Sequence, residues 1–533
     1  METYNVILHK GVDYQSFWDD MELSDDGGTL HIPNRRVDSP NLRPNSPRQA
    51  WYTLSAEEVT TLKNDNRVKG VEIPPEFRDD IIIEHRASRT GDFTKTTSDS
   101  GVFLNWGLIR HKSKTNNYGG SSTTSEDYTY TLDGTGVDVV IQDSGVEMLH
   151  PEFFGKISEA SAPRTQDVDW YSLSGVTGTQ NANHNRDLDG HGTHVAGIVA
   201  GNSYGLATGA RVYSVKVNGL EGSTDGSTGI PTTDCFDVIK GWHTDKKLTR
   251  PMRPTVVNMS WGYLTTYTDA SITAINYRGV SYTGTDINTA TKREEDFGLN
   301  NNLYSFSPTS YAANSRILSI DTDIDEMIEA GIHITIAAGN RGNKCDVPGG
   351  TDYNNYYTSN GTDQYYHRGS SPNADGAILV GNMDSSVQSA TQDRKSTSSE
   401  CGPAVDIYAA GTNIMSSTSN TNKFTDSAYY ADSNFRQCNI SGTSMAAPQV
   451  AGLVALHLQV SPGSPPSAVK AALMGGSGNN LYTSSADNDW TDRRSLLGGD
   501  QMVMFNKFTS SSPIILKNIP DGFLQGIVKI VAK

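Results

Sequence analysis

The run VDVVIQDSGV, residues 137–146, is an apolar stretch that ends in an acidic residue and a Ser-Gly turn. Runs of β-branched and apolar residues of this length are typical of parallel strands covered on both faces. Four more runs of this kind follow: RVYSVKV (211–217), TVVNMS (255–260), IHITIAAG (332–339) and AILVGNM (377–383). Helix-like segments lie between them: HVAGIVAG (194–201), CFDVIKGWH (235–243) and DIDEMIEAG (323–331). This alternation predicts an α/β fold, a doubly wound parallel sheet with helices on both faces.

The first 76 residues have another pattern and predict a small α+β unit. Three segments read as strands: YNVILHK (4–10), AWYTL (50–54) and VKGVEI (68–73). Two helices are predicted between them, DYQSFWDDMEL (13–23) and a second one opened by Ser55. We therefore expect a ferredoxin-like unit in residues 1–76.

The rest of the chain divides by composition. The polar, Thr/Ser-rich residues 77–101 predict a linker. Residues 102–480 predict the main domain, with a weakly periodic insertion at 263–320. Residues 481–533 predict a carboxyl-terminal extension that contains one or two closing strands, PIILKNI (513–519) and GIVKIVAK (526–533).

The charge and composition exclude several classes of partner. A formal net charge of -17 over 533 residues disfavours nucleic acid and anionic membrane surfaces, which would repel the chain. No run approaches the roughly 20 apolar residues of a membrane span. Residues 1–20 lack the basic and apolar regions of an export signal. We therefore expect synthesis in the cytoplasm, with the final compartment left open.

The four cysteines have no CxxC pair and no histidine at metal-binding spacing. They are Cys235, Cys345, Cys401 and Cys438. We expect unpaired structural thiols, with one or two disulfides as the alternative.

Two polar residues lie at the ends of predicted elements, one at the end of a strand and one at the start of a helix. Asp143 ends a buried strand, a position from which a carboxylate can orient an imidazole. His191 starts a helix in DLDGHGTHVAGIVAG, and this segment lacks the Glu and second His of a zinc-binding helix. Each residue taken alone also fits an ordinary turn or a structural histidine.

Two further positions complete a candidate catalytic group. Ser444 begins a helix of small residues, where the helix dipole favours negative charge near its oxygen. Asn340 follows a buried strand, and its amide can donate to a developing oxyanion. The alternatives are a helix cap for Ser444 and a turn residue for Asn340.

Taken together, four segments resemble the subtilisin family, the subtilases, in content and in chain order. They are QDSGV (142–146), DGHGTHVAG (189–197), AAGN (337–340) and SGTSMAAP (441–448). The resemblance extends over residues 105–480 and implies a serine endopeptidase that needs no cofactor. Asp143, His191 and Ser444 would be its catalytic triad, and Asn340 its oxyanion donor.

The resemblance also implies substrate-binding residues and partners. VVNMSWG (256–262) resembles the strand that pairs with substrate, which assigns Ser260, Trp261 and Gly262 to substrate binding. Gly369 would form the pocket floor, with room for a large side chain and hence a broad or apolar preference. Protein or peptide substrates are the expected partners. VKGVEIPPE (68–76) resembles the end of an inhibitory prodomain, so the first unit would inhibit its own enzyme.

Two questions stay open at this point. Members of the family often bind structural calcium. Asp187 and Asp189 lie in a polar loop, but the sequence around them does not define a set of calcium ligands, so no calcium site is assigned. The alternative function is a structural or virion-associated protein on the same fold, autoinhibited or with a dispensable activity, for which the insertions would contact an assembly partner.

Overall fold

The computed structural model describes residues 1–9, 11–22, 37, 41–42, 48–73, 87–96, 102–155, 163–220, 228–249, 253–299, 310–484 and 489–509. These residues belong to two units, formed mainly by Met1–Ile83 and by Glu84–Ser512.

The first unit contains one antiparallel sheet and two helices. Its strands are β1 (Glu2–Leu8), β2 (Asn41–Leu42), β3 (Gln49–Leu54) and β4 (Val68–Glu72), and its helices are α1 (Tyr14–Glu22) and α2 (Ala56–Lys63). The strand order β2-β3-β1-β4 is that of a split β-α-β fold, so the predicted ferredoxin-like arrangement is confirmed. A capping box starts α2: Ser55 Oγ accepts from Glu58 N, and Glu58 Oε2 accepts from Ser55 N at 2.7 Å.

The second unit is built from eight helices and twenty-two strands in the described residues. The helices are α3 (Gly107–Arg110), α4 (Trp170–Ser174), α5 (His191–Ala200), α6 (Thr232–Thr249), α7 (Ala290–Phe297), α8 (Leu318–Glu329), α9 (Thr443–Val460) and α10 (Pro466–Gly476). The strands are β5 (Ala87–Thr94), β6 (Phe103–Asn105), β7 (Thr123–Tyr130), β8 (Asp138–Asp143), β9 (Thr165–Gln166), β10 (Arg211–Lys216), β11 (Thr255–Met259), β12 (Leu264–Thr268), β13 (Ile272–Tyr277), β14 (Val280–Tyr282), β15 (Ser310–Asn314), β16 (His333–Ala337), β17 (Tyr356–Ser359), β18 (Thr362–Tyr365), β19 (Ile378–Ser389), β20 (Gln392–Lys395), β21 (Ile407–Ala410), β22 (Ile414–Thr418), β23 (Ser427–Tyr429), β24 (Asp432–Ile440), β25 (Gly478–Asn479) and β26 (Met502–Val503).

The central sheet of this unit has the order β25-β26-β21-β19-β16-β11-β8-β10-β9. Neighbours from β21 to β9 run parallel, and the five apolar runs of the sequence supply β8, β10, β11, β16 and β19. Their fully buried residues explain the continuous apolar pattern, since helices such as α5 and α9 pack on the sheet. The predicted doubly wound α/β fold is confirmed.

Close packing of α9 depends on its small residues. Ala446, Ala447 and Ala451 are completely buried, and a Cβ atom on Gly452 would lie 2.9 Å from Leu206 Cβ. This helix therefore lies close to its neighbours along most of its length, which fixes the position of its amino end.

The structure differs from the predicted domain plan in two places. Strand β5 lies inside the interval predicted as a linker, 77–101, and pairs with β6 and β7. Its polar sequence gives no strand pattern, because the pairing uses backbone groups. Within residues 91–96, the buried ones are Phe93, Thr94 and Lys95. Strand β26, inside the predicted carboxyl-terminal extension, joins the central sheet through β21. The predicted strands at 513–519 and 526–533 lie outside the described residues.

The insertion predicted at 263–320 forms an elaboration with its own core. Strands β12 and β15 pair with each other, and β13 pairs with β17 from a later part of the chain. Buried aromatic and aliphatic side chains fill the space between them: Tyr267, Ile275, Phe297, Tyr357 and Tyr366. The elaboration thus extends beyond residue 320, to the hairpin of β17 and β18.

Across the described part of the chain, no helix has both the length and the apolar character that crossing a bilayer requires. Nor does that part contain a group of three or more His, Cys, Asp or Glu side chains placed to hold a metal ion.

Candidate active site

Neighbouring parallel strands bring the predicted residues to one edge of the central sheet. Asp143 is the last residue of β8, Ser260 follows β11, and Asn340 lies three residues after β16. These three strands are adjacent in the sheet, so their carboxyl ends meet. Helices α5 and α9 add His191 and Ser444 from their first turns.

Asp143 and His191 form a direct hydrogen bond. The His191 Nδ1 lies 2.7 Å from Asp143 Oδ1, which also accepts from the Ser144 N–H at 2.8 Å. Only 1% of Asp143 is exposed, which makes its charge effective at this range. Burial alone would lower the pKa of His191, but the charge and hydrogen bond of Asp143 outweigh it and hold this pKa above its ordinary value.

The start of α5 is held tightly against the end of β8. A Cβ atom on Gly192 would lie 2.1 Å from the Gly145 carbonyl oxygen, so no larger residue fits there. The Gly192 N–H donates to Ser144 Oγ at 2.9 Å. These contacts fix the His191 ring relative to Asp143.

Asp187, considered above as a calcium ligand, serves the same helix start. Its carboxylate accepts from the N–H groups of Gly190 and Thr193 at 2.8 and 2.9 Å. It also accepts from the hydroxyls of Thr193 and Ser144 at 2.6 and 3.0 Å. The Asp189 N–H donates to it as well, at 3.2 Å, and a buried carboxylate with these five donors stabilises the amino end of α5.

Ser444 lies at the second position of α9, where a backbone N–H has no acceptor within the helix. Its hydroxyl donates to the Ser260 carbonyl oxygen at 3.1 Å, and Ser260 Oγ donates to the Ser444 carbonyl oxygen at 3.1 Å. Among the described residues, the Ser444 hydroxyl makes no hydrogen bond to His191. Rotation of the hydroxyl away from Ser260 would be needed to form one, a rearrangement common when substrate binds.

Asn340 is held by the first residue of α9. Its Oδ1 accepts from the Thr443 N–H at 2.8 Å and from the Thr443 hydroxyl at 3.1 Å. Both bonds are made on the oxygen side of the amide, which leaves Nδ2 available as a donor beside the turn at Gly442. Anchoring of this kind gives a donor that needs no reorganisation when charge develops nearby.

A cavity of about 160 Å³ opens beside Ser444. It is lined by the following residues: Ser260, Trp261, Gly262, Leu264, Asn314, Ala337, Gly339, Asn340, Arg341, Ser370, Thr443 and Ser444. The predicted Ser260, Trp261 and Gly262 are therefore brought together with Ser444 and Asn340.

Gly369, the predicted pocket floor, is not among the described residues that line this cavity. Its Cα side faces Asn373 and Cys345, since a Cβ atom there would lie 3.0 Å from Asn373 Nδ2 and 3.4 Å from Cys345 Sγ. The next residue, Ser370, lines the cavity opposite Gly262. Counting along the sequence thus missed the wall by one residue, and the apolar preference drawn from a glycine floor loses its basis.

Sequence reasoning missed three polar residues at this cavity. Asn314 and Arg341 line it, and Glu400 lies behind Gly339. Asn314 ends strand β15 inside the insertion and Glu400 follows a polar stretch, so neither has a local pattern that marks it. Arg341 directly follows Asn340, and its position beside the proposed oxyanion donor was the one available signal.

All four cysteines are buried, and none of them forms a disulfide bond in the structure.

Comparison with known proteins gives a family match for most of the second unit. The sequence model of the Subtilase family matches residues 134–493, which is more than half of the chain. The match includes all eight residues predicted for catalysis and substrate binding.

Curated relatives are more distant. An extracellular serine proteinase of Thermus sp. (strain Rt41A) is 26% identical over 446 residues, covering 84% of this chain and 74% of the relative. Alkaline serine exoprotease A of Vibrio alginolyticus is 26% identical over 447 residues, covering 82% of this chain but only 58% of the relative. The crystal structure of a cold adapted subtilisin-like serine proteinase aligns with a TM-score of 0.44 and 22% identity, covering 75% of this chain and 97% of that one.

These relatives correct one expectation. From the residues at its start, the sequence predicted synthesis in the cytoplasm without an export signal, with a virion as one possible location and the final compartment left open. A relative named as extracellular contradicts that localisation. The composition of the first twenty residues was therefore a poor guide to compartment.

Proposed function

The chain belongs to the subtilase family and is a subtilisin-like serine peptidase, and from that premise we propose that it is an endopeptidase working through Asp143, His191 and Ser444. The observation that carries this proposal is the 2.7 Å bond between His191 Nδ1 and the buried Asp143 carboxylate, at the same sheet edge as Ser444. Protein and peptide chains are the substrates of such an enzyme.

The first step is attack by Ser444 on a peptide carbonyl. Its hydroxyl turns from the Ser260 carbonyl to His191, and Nε2 takes the proton as Oγ bonds to the carbonyl carbon. Asp143 keeps the Nδ1–H of His191 in place and stabilises the imidazolium that forms. The C–N bond then breaks, and His191 gives its proton to the leaving amine. Water repeats the sequence on the acyl-enzyme and restores Ser444.

The oxyanion of each tetrahedral intermediate needs donors that are already in position. Asn340 Nδ2 and the Ser444 N–H are the two groups proposed for this role, since the first is anchored through Thr443 and the second has no intrahelical acceptor. Nucleophile, base and oxyanion donors are all groups of this chain, so the proposed chemistry requires no cofactor.

Substrate would add as a strand beside Ser260, Trp261 and Gly262. These residues continue from β11 along the rim of the cavity. Trp261 packs near Tyr263, with ring centroids 5.6 Å apart, which gives this rim an apolar surface.

The first unit is proposed to be a prodomain that inhibits the peptidase until it is cleaved off. Its split β-α-β sheet and the resemblance of residues 68–76 to a prodomain end support this role.

A fluorophosphonate probe tests the proposed function directly, because such probes phosphonylate only activated serines. We expect intact mass to increase by one adduct, with the adduct on Ser444 by peptide mapping. Loss of the first unit from the labelled chain would support the prodomain, whereas a labelled chain of full length would contradict its removal. A folded chain that never takes the probe would contradict the endopeptidase itself.

Substitution of the oxyanion donor gives a graded result. Asn340→Ala is expected to lower kcat by about 10²–10³, the size known for this donor in the family, with little change in KM. Steady-state kinetics on a fluorogenic peptide would measure both constants. Asn343→Ala is a control in the same loop but outside the cavity, and an equal loss of kcat there would show a general effect of loop damage instead.

A further inference from the structure

Glu400 places a carboxyl group directly behind the wall of the cavity beside Ser444. The residue is completely buried, and its N–H donates to the Gly339 carbonyl oxygen at 3.0 Å. A Cβ atom on Gly339 would lie 2.7 Å from Glu400 Cγ and 3.1 Å from its Oε1. Since Gly339 lines the cavity, the absence of a side chain there is what lets the carboxyl approach it.

Asn314 connects this carboxyl to the cavity. It lines the cavity and is only 1% exposed, and neither polar atom of its amide has a hydrogen-bond partner among the described residues. The amide lies close enough to Glu400 to favour the ionised carboxylate. A buried amide without partners destabilises the cavity wall, and a bound polar group would remove that cost.

The Glu400 carboxyl is poorly compensated by the protein. Neither of its oxygens has a partner within hydrogen-bonding geometry in the part of the chain described. Burial raises its pKa to about 8, and Asn314, the Lys395 charge and two backbone N–H groups only partly oppose this. Lys395 itself donates to the carbonyl oxygens of Ser396, Ser399 and Arg493, so it is not a close ion-pair partner.

We propose that Glu400, acting with Asn314, is the specificity-determining group that selects a basic side chain, Arg or Lys, on the acyl side of the cleaved bond. This inference rests on the proposed endopeptidase function. The residue whose carbonyl meets Ser444 and Asn340 has the adjoining cavity as the space for its side chain. A guanidinium or ammonium group there would supply the donors that Glu400 and Asn314 lack.

Arg341 is the one cationic residue among the described residues that line the cavity. By itself, its charge would favour an acidic side chain on the substrate. The residue as a whole is only partly buried, although its Nη1 atom lies out of contact with solvent. Its long, flexible side chain can therefore turn the guanidinium toward solvent when a cation enters the cavity. Glu400 is fully buried and cannot. Once Glu400 has lost its proton, its charge cannot move away from the cavity, and this charge determines the preference.

The test uses fluorogenic peptides that differ only at the acyl residue: Arg, Lys, Leu, Gln or Glu. With the assay held above pH 8, where Glu400 is ionised, we expect the native chain to cleave the Arg and Lys peptides with the highest kcat/KM. Glu400→Gln should lower kcat/KM for the Arg peptide by about 30-fold or more and change the Leu peptide by less than about 3-fold. Glu326→Gln, an exposed carboxylate on α8, is the control and should change neither.

The pH dependence of the substrate preference distinguishes a role of the Glu400 charge in specificity from a purely structural role of this residue. The ratio of kcat/KM for Arg over Leu cancels the ionisation of His191, since both substrates need the same base. This ratio should rise with pH through about 8 as Glu400 loses its proton, and it should stay flat in Glu400→Gln. Lys395, Cys345, Cys401 and Tyr408 also face this carboxyl, but the Gln variant retains all four.

Several outcomes would overturn the inference. A preference for Leu that Glu400→Gln leaves unchanged would do so, and so would a preference for Glu, which would assign the selection to Arg341. Asn314→Leu is a second variant in case Glu400→Gln folds poorly, and it should lower the Arg-to-Leu ratio about 10-fold. Labelling of Ser444 by the fluorophosphonate probe separates failure of this inference from failure of the proposed endopeptidase function. The labelling would persist if only the inferred specificity were incorrect.

Discussion

Ser444→Ala is expected to remove measurable peptidase activity while the chain stays folded. Loss of the nucleophile leaves His191 with no proton to take and no acyl-enzyme to form. In the subtilisin family the known cost is about 10⁶ in kcat, and we carry that figure over to this chain. Hydrolysis of a fluorogenic peptide at high enzyme concentration measures the loss.

The fold should survive because the Ser444 hydroxyl has a small structural role. It makes one described hydrogen bond, to the Ser260 carbonyl oxygen at 3.1 Å, and a bond of this type contributes about 1 kcal/mol to the free energy of unfolding. Thermal unfolding should therefore shift by only a few degrees. Ser467→Ala, an exposed position on α10, is the matched control and should keep full activity. Peptide hydrolysis that persists in Ser444→Ala would remove Ser444 from the mechanism.

The central sheet could be predicted because its signal is local. Buried strands such as β8 and β16 are mainly apolar runs, and a polar residue either ends the strand, as Asp143 does, or follows within three residues, as Asn340 does. The carboxyl ends of adjacent parallel strands must meet at one edge, so the positions of Asp143 and Asn340 followed from the order of elements. The family resemblance supplied their roles.

The walls of the cavity could not be predicted in the same way. Asn314 and Glu400 are 86 positions apart in the sequence and meet only through the folded chain. A glutamate in a polar stretch is expected on the surface, and nothing local marks Glu400 as buried. The elaboration has the same difficulty, because β13 pairs with β17 across about eighty residues.

Asp143→Asn should lower kcat by a factor of about 10⁴, while small molecules such as the fluorophosphonate probe should still reach Ser444. An asparagine of the same shape keeps the packing but cannot stabilise the imidazolium, and its amide favours the wrong tautomer of His191. The magnitude is the one known for this substitution in serine peptidases with the same triad. Steady-state kinetics over a range of pH values would measure it.

The pH profile of this variant adds a second expectation with a definite sign. In the native chain, the pKa of His191 is above its ordinary value because Asp143 outweighs burial, and only neutral imidazole can accept the Ser444 proton. The kcat/KM therefore falls as pH decreases through that raised pKa. Without the carboxylate, burial lowers the pKa of His191, so the acid limb of the residual activity moves to lower pH.

Asp189→Asn is the control for this shift. Asp189 also raises the pKa of His191 through its charge, but its effect is smaller than that of Asp143. Among the described contacts, its side chain forms an ion pair with Lys423 and makes no hydrogen bond to the imidazole. Its substitution should move the acid limb slightly to lower pH and leave the maximal kcat nearly unchanged. Two results would show that the bond between Asp143 and His191 is only structural: a kcat of Asp143→Asn within tenfold of the native value, or an acid limb at the same pH as in Asp189→Asn. The orientation of His191 would then have to come from the tight start of α5 alone.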